Sequence, residues 1–169
     1  FFVAGKGFIR SIKQLYFPNS LGYLYAAVIQ YLGFKPNKGE GKVMGLASYG
    51  KPEYIELFRK LCPLTAEGEY QLDPSSFDFY RNAASIENQK RWVSDKFIQA
   101  FGPKREAESA IEQRHEDIAA SLQQYFNEVF VHMFDWLYVK TKLENLCLAG
   151  GVALNSVANG YAFKRSKYK

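Results

Sequence analysis

The chain has 169 residues, 47% hydrophobic and 17% aromatic, with 13 Gly and 6 Pro, which is globular composition and excludes a disordered or collagen-like chain. Lys and Arg number 22 against 17 Asp and Glu, a formal charge of +5. Lys164, Arg165, Lys167 and Lys169 crowd the last residues and the other cations are interspersed with acids, so no basic stripe marks a nucleic-acid surface.

Residues 1–17 mix aromatic and β-branched residues with Gly and predict one or two strands. Pro18-Asn19-Ser20 reads as a helix start, with Asn19 or Ser20 capping. Leu21, Leu24, Tyr25, Val28, Ile29 and Leu32 then recur at helical spacing, and Gly33 closes the helix. Residues 36–50 read as a loop carrying Gly39, Gly41, Gly45 and Gly50. A short helix is predicted after Pro52, with Tyr54, Ile55, Leu57, Phe58 and Leu61 as its apolar members. Residues 69–80 alternate loosely and suggest a hairpin or two short strands around Pro74. Residues 92–101 read as a helix stopped by Gly102-Pro103.

The longest signal follows. Residues 106–140 contain no Gly or Pro and keep apolar residues at helical spacing, which predicts a helix of about 50 Å at 1.5 Å per residue. Asn145-Leu146-Cys147-Leu148-Ala149 reads as a short buried strand, Gly150-Gly151 as a turn, and residues 152–163 as a second helix.

No apolar run approaches the roughly 18 residues of a membrane span, and the first residues have no signal-peptide pattern. Both ends look cut, which suggests a piece of a larger protein. Cys62 and Cys147 lie far apart in apolar contexts, so a reduced, cytoplasmic protein is expected. His115 and His132 are the only histidines, and neither His-x-x-x-His nor Cys-x-x-Cys occurs, so no metal site is predicted in this segment. His115 and Asp117 are two positions apart and would not share a helix face.

Two segments carry chemistry. The first is strand, Gly150-Gly151, helix: glycines let backbone approach a ligand, and a helix start offers free N–H groups and a positive dipole end, which suits a nucleotide phosphate. Asn155, in the first turn, adds a side chain able to hydrogen-bond. Glycines kept only for packing are the alternative. The second is the run from Gly39 to Gly50. It is not a P-loop, because Lys42 is followed by Val43 and the segment follows a helix. Val43, Met44 and Leu46 between its glycines suggest an anchored loop, the alternative being an ordinary flexible one.

Phe17-Pro18-Asn19-Ser20-Leu21-Gly22, Tyr31-Leu32-Gly33-Phe34, and Gly39-Glu40-Gly41-Lys42-Val43-Met44-Gly45-Leu46-Ala47-Ser48-Tyr49-Gly50 together resemble the carbamoyltransferases of the nodulation-protein-U type, which include the antibiotic O-carbamoyltransferases. Asp117-Ile118-Ala119-Ala120-Ser121-Leu122-Gln123 and the run from Asn145 to Asn155 continue the resemblance in order. It implies an α/β fold, a fragment of a Kae1-like domain of the actin/Hsp70/sugar-kinase (ribonuclease-H-like, ASKHA) type. Residues 1–169 would be its central part, with a YrdC-like domain elsewhere in the parent chain. Carbamoyl phosphate and ATP would give carbamoyl-adenylate, whose carbamoyl group passes to an acceptor hydroxyl. A divalent metal, iron, would be held by a His-x-x-x-His pair and a later Asp, both outside this segment, so the fragment alone is expected to be inactive. On the same resemblance Gly150, Gly151 and Asn155 would hold the adenylate, Glu40 the ribose, and Lys42 an anionic oxygen. Gly45 and Gly50 would belong to the same nucleotide site, and Asn19 and Ser20 would touch substrate. A sugar-kinase-like phosphotransferase and a non-catalytic nucleotide-binding module remain open as alternatives.

Overall fold

The computed structural model describes residues 1–79 and 91–169. The aromatic and β-branched start forms an antiparallel hairpin, β1 (Phe2–Gly5) and β2 (Phe8–Ser11), with Phe2 opposite Ser11 and Gly5 opposite Phe8. Gly7 turns the chain at φ 79°, a left-handed conformation that costs glycine little. Helix α1 (Leu21–Tyr31) begins where the Ser20 hydroxyl accepts the Tyr23 amide at 3.3 Å, so Ser20 is the cap.

The predicted loop at 36–50 is largely helical: Glu40–Leu46 forms α2. Val43 and Leu46 are buried, and the Asn37 amide donates to Glu40 Oε1 at 2.8 Å, tying down the first turn. This packing outweighs the helix penalty of about 1 kcal/mol for each of Gly41 and Gly45. Helix α3 (Ile55–Leu61) follows.

Strand β3 (Leu64–Thr65) pairs with β4 (Glu69–Tyr70), so the predicted hairpin lies earlier than expected. Pro74–Ser76 is instead a 3-10 turn capped by Asp73, and Phe77 bridges to Val93. Position 80, the end of that prediction, lies outside the described residues. Helix α4 (Asp95–Phe101) is capped by Ser94 and lies inside the predicted 92–101.

Helix α5 (Gln113–Thr141) is the long central helix, but it starts seven positions after Glu106. The delay comes from Arg105, which is buried and donates to the carbonyls of Leu32 (2.9 Å), Ser109 and Ala110 (3.3 Å). Residues 106–112 wrap this guanidinium instead of extending the helix. A reciprocal cap then opens α5: the Glu112 side chain accepts the His115 amide, and His115 Nδ1 accepts the Glu112 amide at 2.9 Å.

The strand predicted at 145–149 is absent. A strand needs a neighbour to share its backbone hydrogen bonds, and the described sheets are the two hairpins alone. The segment is mostly exposed, Cys147 included. The chain then makes a 3-10 turn at Gly151–Leu154 and enters α6 (Ser156–Arg165), four positions later than predicted. The content is therefore mixed helix and strand, compatible with the α/β class.

The core lies between α5 and α1, α3 and α4. Phe97 and Phe101 stack at 4.2 Å, and Phe58 tilts against Phe101 at 5.0 Å. Burial pushes the Cys62 thiol up to about 11, only partly offset by the Tyr125 hydroxyl that donates to its carbonyl.

Two predictions follow from these contacts. A Cβ at Gly50 would sit 2.1 Å from the Glu116 carbonyl oxygen on α5, whereas one at Gly45 would meet nothing within 4 Å. Gly50→Ala should therefore lose about 3 kcal/mol and Gly45→Ala gain about 1 kcal/mol, read by urea unfolding of both variants beside wild type. Burial, aided by the Arg114 and Arg105 charges, holds the His115 ring below its ordinary pKa. The fold thus favours the neutral ring, whose stabilisation is complete above about pH 6.5 and is lost as pH falls through the lower folded value. The melting temperature of wild type should drop between pH 7.5 and 5.5 more than that of His115→Gln, which keeps an acceptor for the Glu112 amide and does not titrate.

Candidate functional site

A cavity of about 960 Å³ opens where the N-terminal half of α1, the start of α2 and the Gly151–Asn155 turn converge over α5. Ser20, Glu40, Gly151 and Asn155 all line it. These residues come from three separate stretches of sequence, and tertiary packing brings them to one space. Gly22 on α1 lies close to the turn: a Cβ there would meet Val152 Cγ2 at 3.4 Å, ordinary van der Waals contact.

The walls differ in character. Tyr23 and Trp92, 6.1 Å apart between ring centroids, make an aromatic side. Asn37 and Glu40 make the polar side, with Glu40 Oε1 already accepting the Asn37 amide. Tyr25 also lines the cavity. Burial, reinforced by the nearby Glu40 charge, holds its phenol above the ordinary range. Gly150 takes φ 95°, a value that favours glycine, and a Cβ at Gly150 or Gly151 would meet no atom within 4 Å. The turn therefore presents bare backbone.

Asn155 reaches the cavity with its carboxamide already engaged. Its Oδ1 accepts the Ala158 amide at 2.9 Å and so caps α6, and the rest of the group pairs with Gln123 on α5. The free helix start expected directly after Gly151 is thus displaced: the 3-10 turn stands between the glycines and α6.

The other expected residues lie elsewhere. Lys42 is exposed on α2, two positions from Glu40, and two positions on a helix point to different sides. Gly45 is exposed on α2, and Gly50 is pressed against the backbone of α5. Asn19 supports the fold: its Oδ1 accepts the Leu72 amide at 2.9 Å and its carbonyl accepts the Tyr70 hydroxyl at 3.3 Å. Among the described residues no group of three or more His, Cys, Asp or Glu is placed to hold a metal ion, so the described side chains do not fit the implied iron. No described helix is long and apolar enough to cross a membrane.

The sequence did not single out Tyr23, Tyr25 and Trp92, which line the cavity, or Gln123, which holds Asn155 at its edge. A signal for Gln123 did exist. Ala119, Gln123, Phe126, Asn127 and Phe130 share one helix face, so two carboxamides interrupt an apolar stripe.

Comparison with known proteins agrees with the motifs. Residues 1–169 match the family described as carbamoyltransferase N-terminus, and the chain belongs to that family. It is similar to the nodulation protein NolO of Bradyrhizobium diazoefficiens, 37% identical over 145 residues, 84% of this chain and 23% of that protein. The nodulation protein NolNO of Sinorhizobium fredii is 34% identical over 145 residues, 84% of this chain and 18% of that protein. An uncharacterized Synechocystis protein is 44% identical over 158 residues, 92% of this chain and 25% of that protein. The chain thus spans a quarter or less of the length of these relatives.

The engaged Asn155 carboxamide makes a stability prediction. Asn155→Ala removes the α6 cap and leaves Gln123 without that partner, and should cost about 2 kcal/mol. Asn155→Asp keeps the cap acceptor and should cost less, as thermal unfolding of the two variants will show.

Proposed function

We infer that this chain forms part of the nucleotide-handling centre of an O-carbamoyltransferase. The single observation that carries the reading is the cavity: in a chain of the carbamoyltransferase family, Ser20, Glu40, Gly151 and Asn155 line one space. The proposed donor is carbamoyl-adenylate, made from carbamoyl phosphate and ATP at a YrdC-like domain of the same protein. The proposed frame for both is a Kae1-like, ASKHA-type domain to which residues 1–169 belong, in the cytoplasm.

The chemistry suits the cavity. Carbamoyl-adenylate is a mixed anhydride. The oxygen of the acceptor hydroxyl attacks the carbamoyl carbon, the bond from that carbon to the phosphate oxygen breaks, and AMP leaves with the electron pair. Negative charge grows on the phosphate, where backbone amides free of any Cβ approach closely and stabilise it. Gly151, which lines the cavity, and Gly150 just before it would supply such amides. The Glu40 carboxylate is placed to accept hydrogen bonds from ribose hydroxyls, and the Tyr23–Trp92 side offers a flat surface to a ring. Lys42 does not line the cavity and contributes nothing to this reading. The acceptor proton passes to a base outside this segment, and the iron implied by the resemblance would likewise take its ligands from elsewhere in the protein.

Binding tests the proposal. In the full-length protein, a non-hydrolysable carbamoyl-adenylate analogue should bind, measured by titration calorimetry. Gly151→Val places a branched side chain where the phosphate would lie and should weaken binding by about ten-fold or more. Equal affinity in the variant would remove the Gly-Gly turn from the site.

A further inference from the structure

We propose that Gln123 is the positioning residue of the site: it sets the Gly150–Asn155 turn against the cavity from below. The inference rests on the adenylate reading above and deepens it.

Gln123 sits on the buried face of α5 at 5% exposure. Its Nε2 donates to Asn155 Oδ1 at 3.1 Å, and its Oε1 accepts from Asn155 Nδ2 at 3.1 Å. Two carboxamides joined in this way hold each other in one plane and one orientation. That orientation is unique. The backbone amide of Ala158 donates to Asn155, so the oxygen of Asn155 must face it. The nitrogen of Gln123 must then face the same oxygen, and its second proton goes to Asn127 Oδ1 at 3.2 Å. The Tyr25 hydroxyl closes the network with a long 3.5 Å bond to Gln123 Oε1, linking α1 to the same point. A reversed amide would set donor against donor.

The turn itself has little else to hold it in place. It carries two glycines with open space around them, one at a positive φ. Its own bonds, Ala153 amide to Gly150 carbonyl at 3.1 Å and Asn155 amide to Val152 carbonyl at 3.1 Å, shape the turn but do not place it. The Asn159 side chain donates to the Ala153 carbonyl at 2.7 Å and ties the turn to α6. Among the described residues, the Gln123–Asn155 pair is the hydrogen-bonded link from residues 150–155 to α5. Val152 against Gly22 supplies an apolar contact to α1 but no direction. A flexible glycine turn binds phosphate well only when its amides are held in advance, since otherwise their ordering is paid for on binding.

The test uses the full-length protein with Gln123→Leu, and Asn127→Leu for comparison. Asn127 shares the network and its burial but makes no bond to the turn. Amide hydrogen exchange of the peptide covering 150–158 should speed up about ten-fold in Gln123→Leu, the scale of losing one buried hydrogen-bonded pair, and stay unchanged in Asn127→Leu. The dissociation constant of the carbamoyl-adenylate analogue should rise by about the same factor in Gln123→Leu alone, measured well below the melting temperature of each variant. A purely structural role would lower the melting temperature of both variants and leave the affinity of the folded protein unmoved, which overturns the proposal. Unchanged exchange in Gln123→Leu overturns it as well. If wild type binds no analogue, the adenylate reading falls, and the exchange comparison by itself decides whether Gln123 places the turn.

Discussion

The structure depends on the burial of α5. Ile118, Leu122, Tyr125, Phe126 and Val129 are each no more than 1% exposed, and their apolar surface supplies the main driving force for holding the other elements around one axis. Burial alone is non-directional, so it does not choose the register of those elements. The polar residues of α5 do. Asp117 accepts the Lys51 amide at 2.8 Å, Ser121 accepts the Tyr54 amide at 2.9 Å, and the Tyr125 hydroxyl donates to the Cys62 carbonyl. Glu128 takes the Arg59 guanidinium with both oxygens, and His132 reaches the carbonyls of Thr65 and Glu69 at 2.9 and 3.1 Å. Read along the helix, these bonds fix residues 51 to 69 about one contact per turn, in chain order except that Cys62 is met before Arg59. The Gln123 pair does the same for the Gly151 turn from a neighbouring face.

Beyond His132 the same logic extends to the first hairpin. The Lys13 ammonium lies 4.6 Å over the Trp136 ring and pairs with Glu67 at 3.0 Å and Glu69 at 2.9 Å. Exposed ion pairs contribute little, but the Lys13 side chain is only 11% exposed and sits between an aromatic face and two carboxylates. Gly68 lets this turn lie on Trp136, since a Cβ there would be 2.6 Å from the Trp136 Cβ. One end of α5 therefore anchors the start of the chain, and its middle carries the cavity.

Much of the candidate site was legible as residue types and little of it as a place. The resemblance picked out Ser20, Glu40, Gly151 and Asn155, and the cavity unites all four. It also picked out Lys42, Gly45 and Gly50, which lie apart: α2 turns Glu40 and Met44 to the cavity and leaves Lys42 and Gly45 exposed, and Gly50, beyond α2, is pressed on α5. Gly50 shows the limit of composition most directly. A glycine needed for backbone packing on α5 looks the same in sequence as one needed for a phosphate.

What the sequence alone determined is local. Helical spacing defined α1, the same spacing without Gly or Pro defined most of α5, Asn19 or Ser20 marked the cap of α1, and the aromatic and β-branched start marked one or two strands, which the structure resolves into Ser20 and a hairpin. Each of these rests on interactions within a few residues of chain, which periodicity and capping chemistry report. What the tertiary structure decided depends on distant partners. Burial of Val43 and Leu46 turned a glycine-rich loop into α2, and the carbonyls gathered by Arg105 delayed α5. The lack of a neighbouring strand left 145–149 without regular structure and mostly exposed. The pairing of Gln123 with Asn155, thirty-two positions apart, set the glycine turn on the cavity wall, because only packing of α6 on α5 brings those two carboxamides within bonding distance.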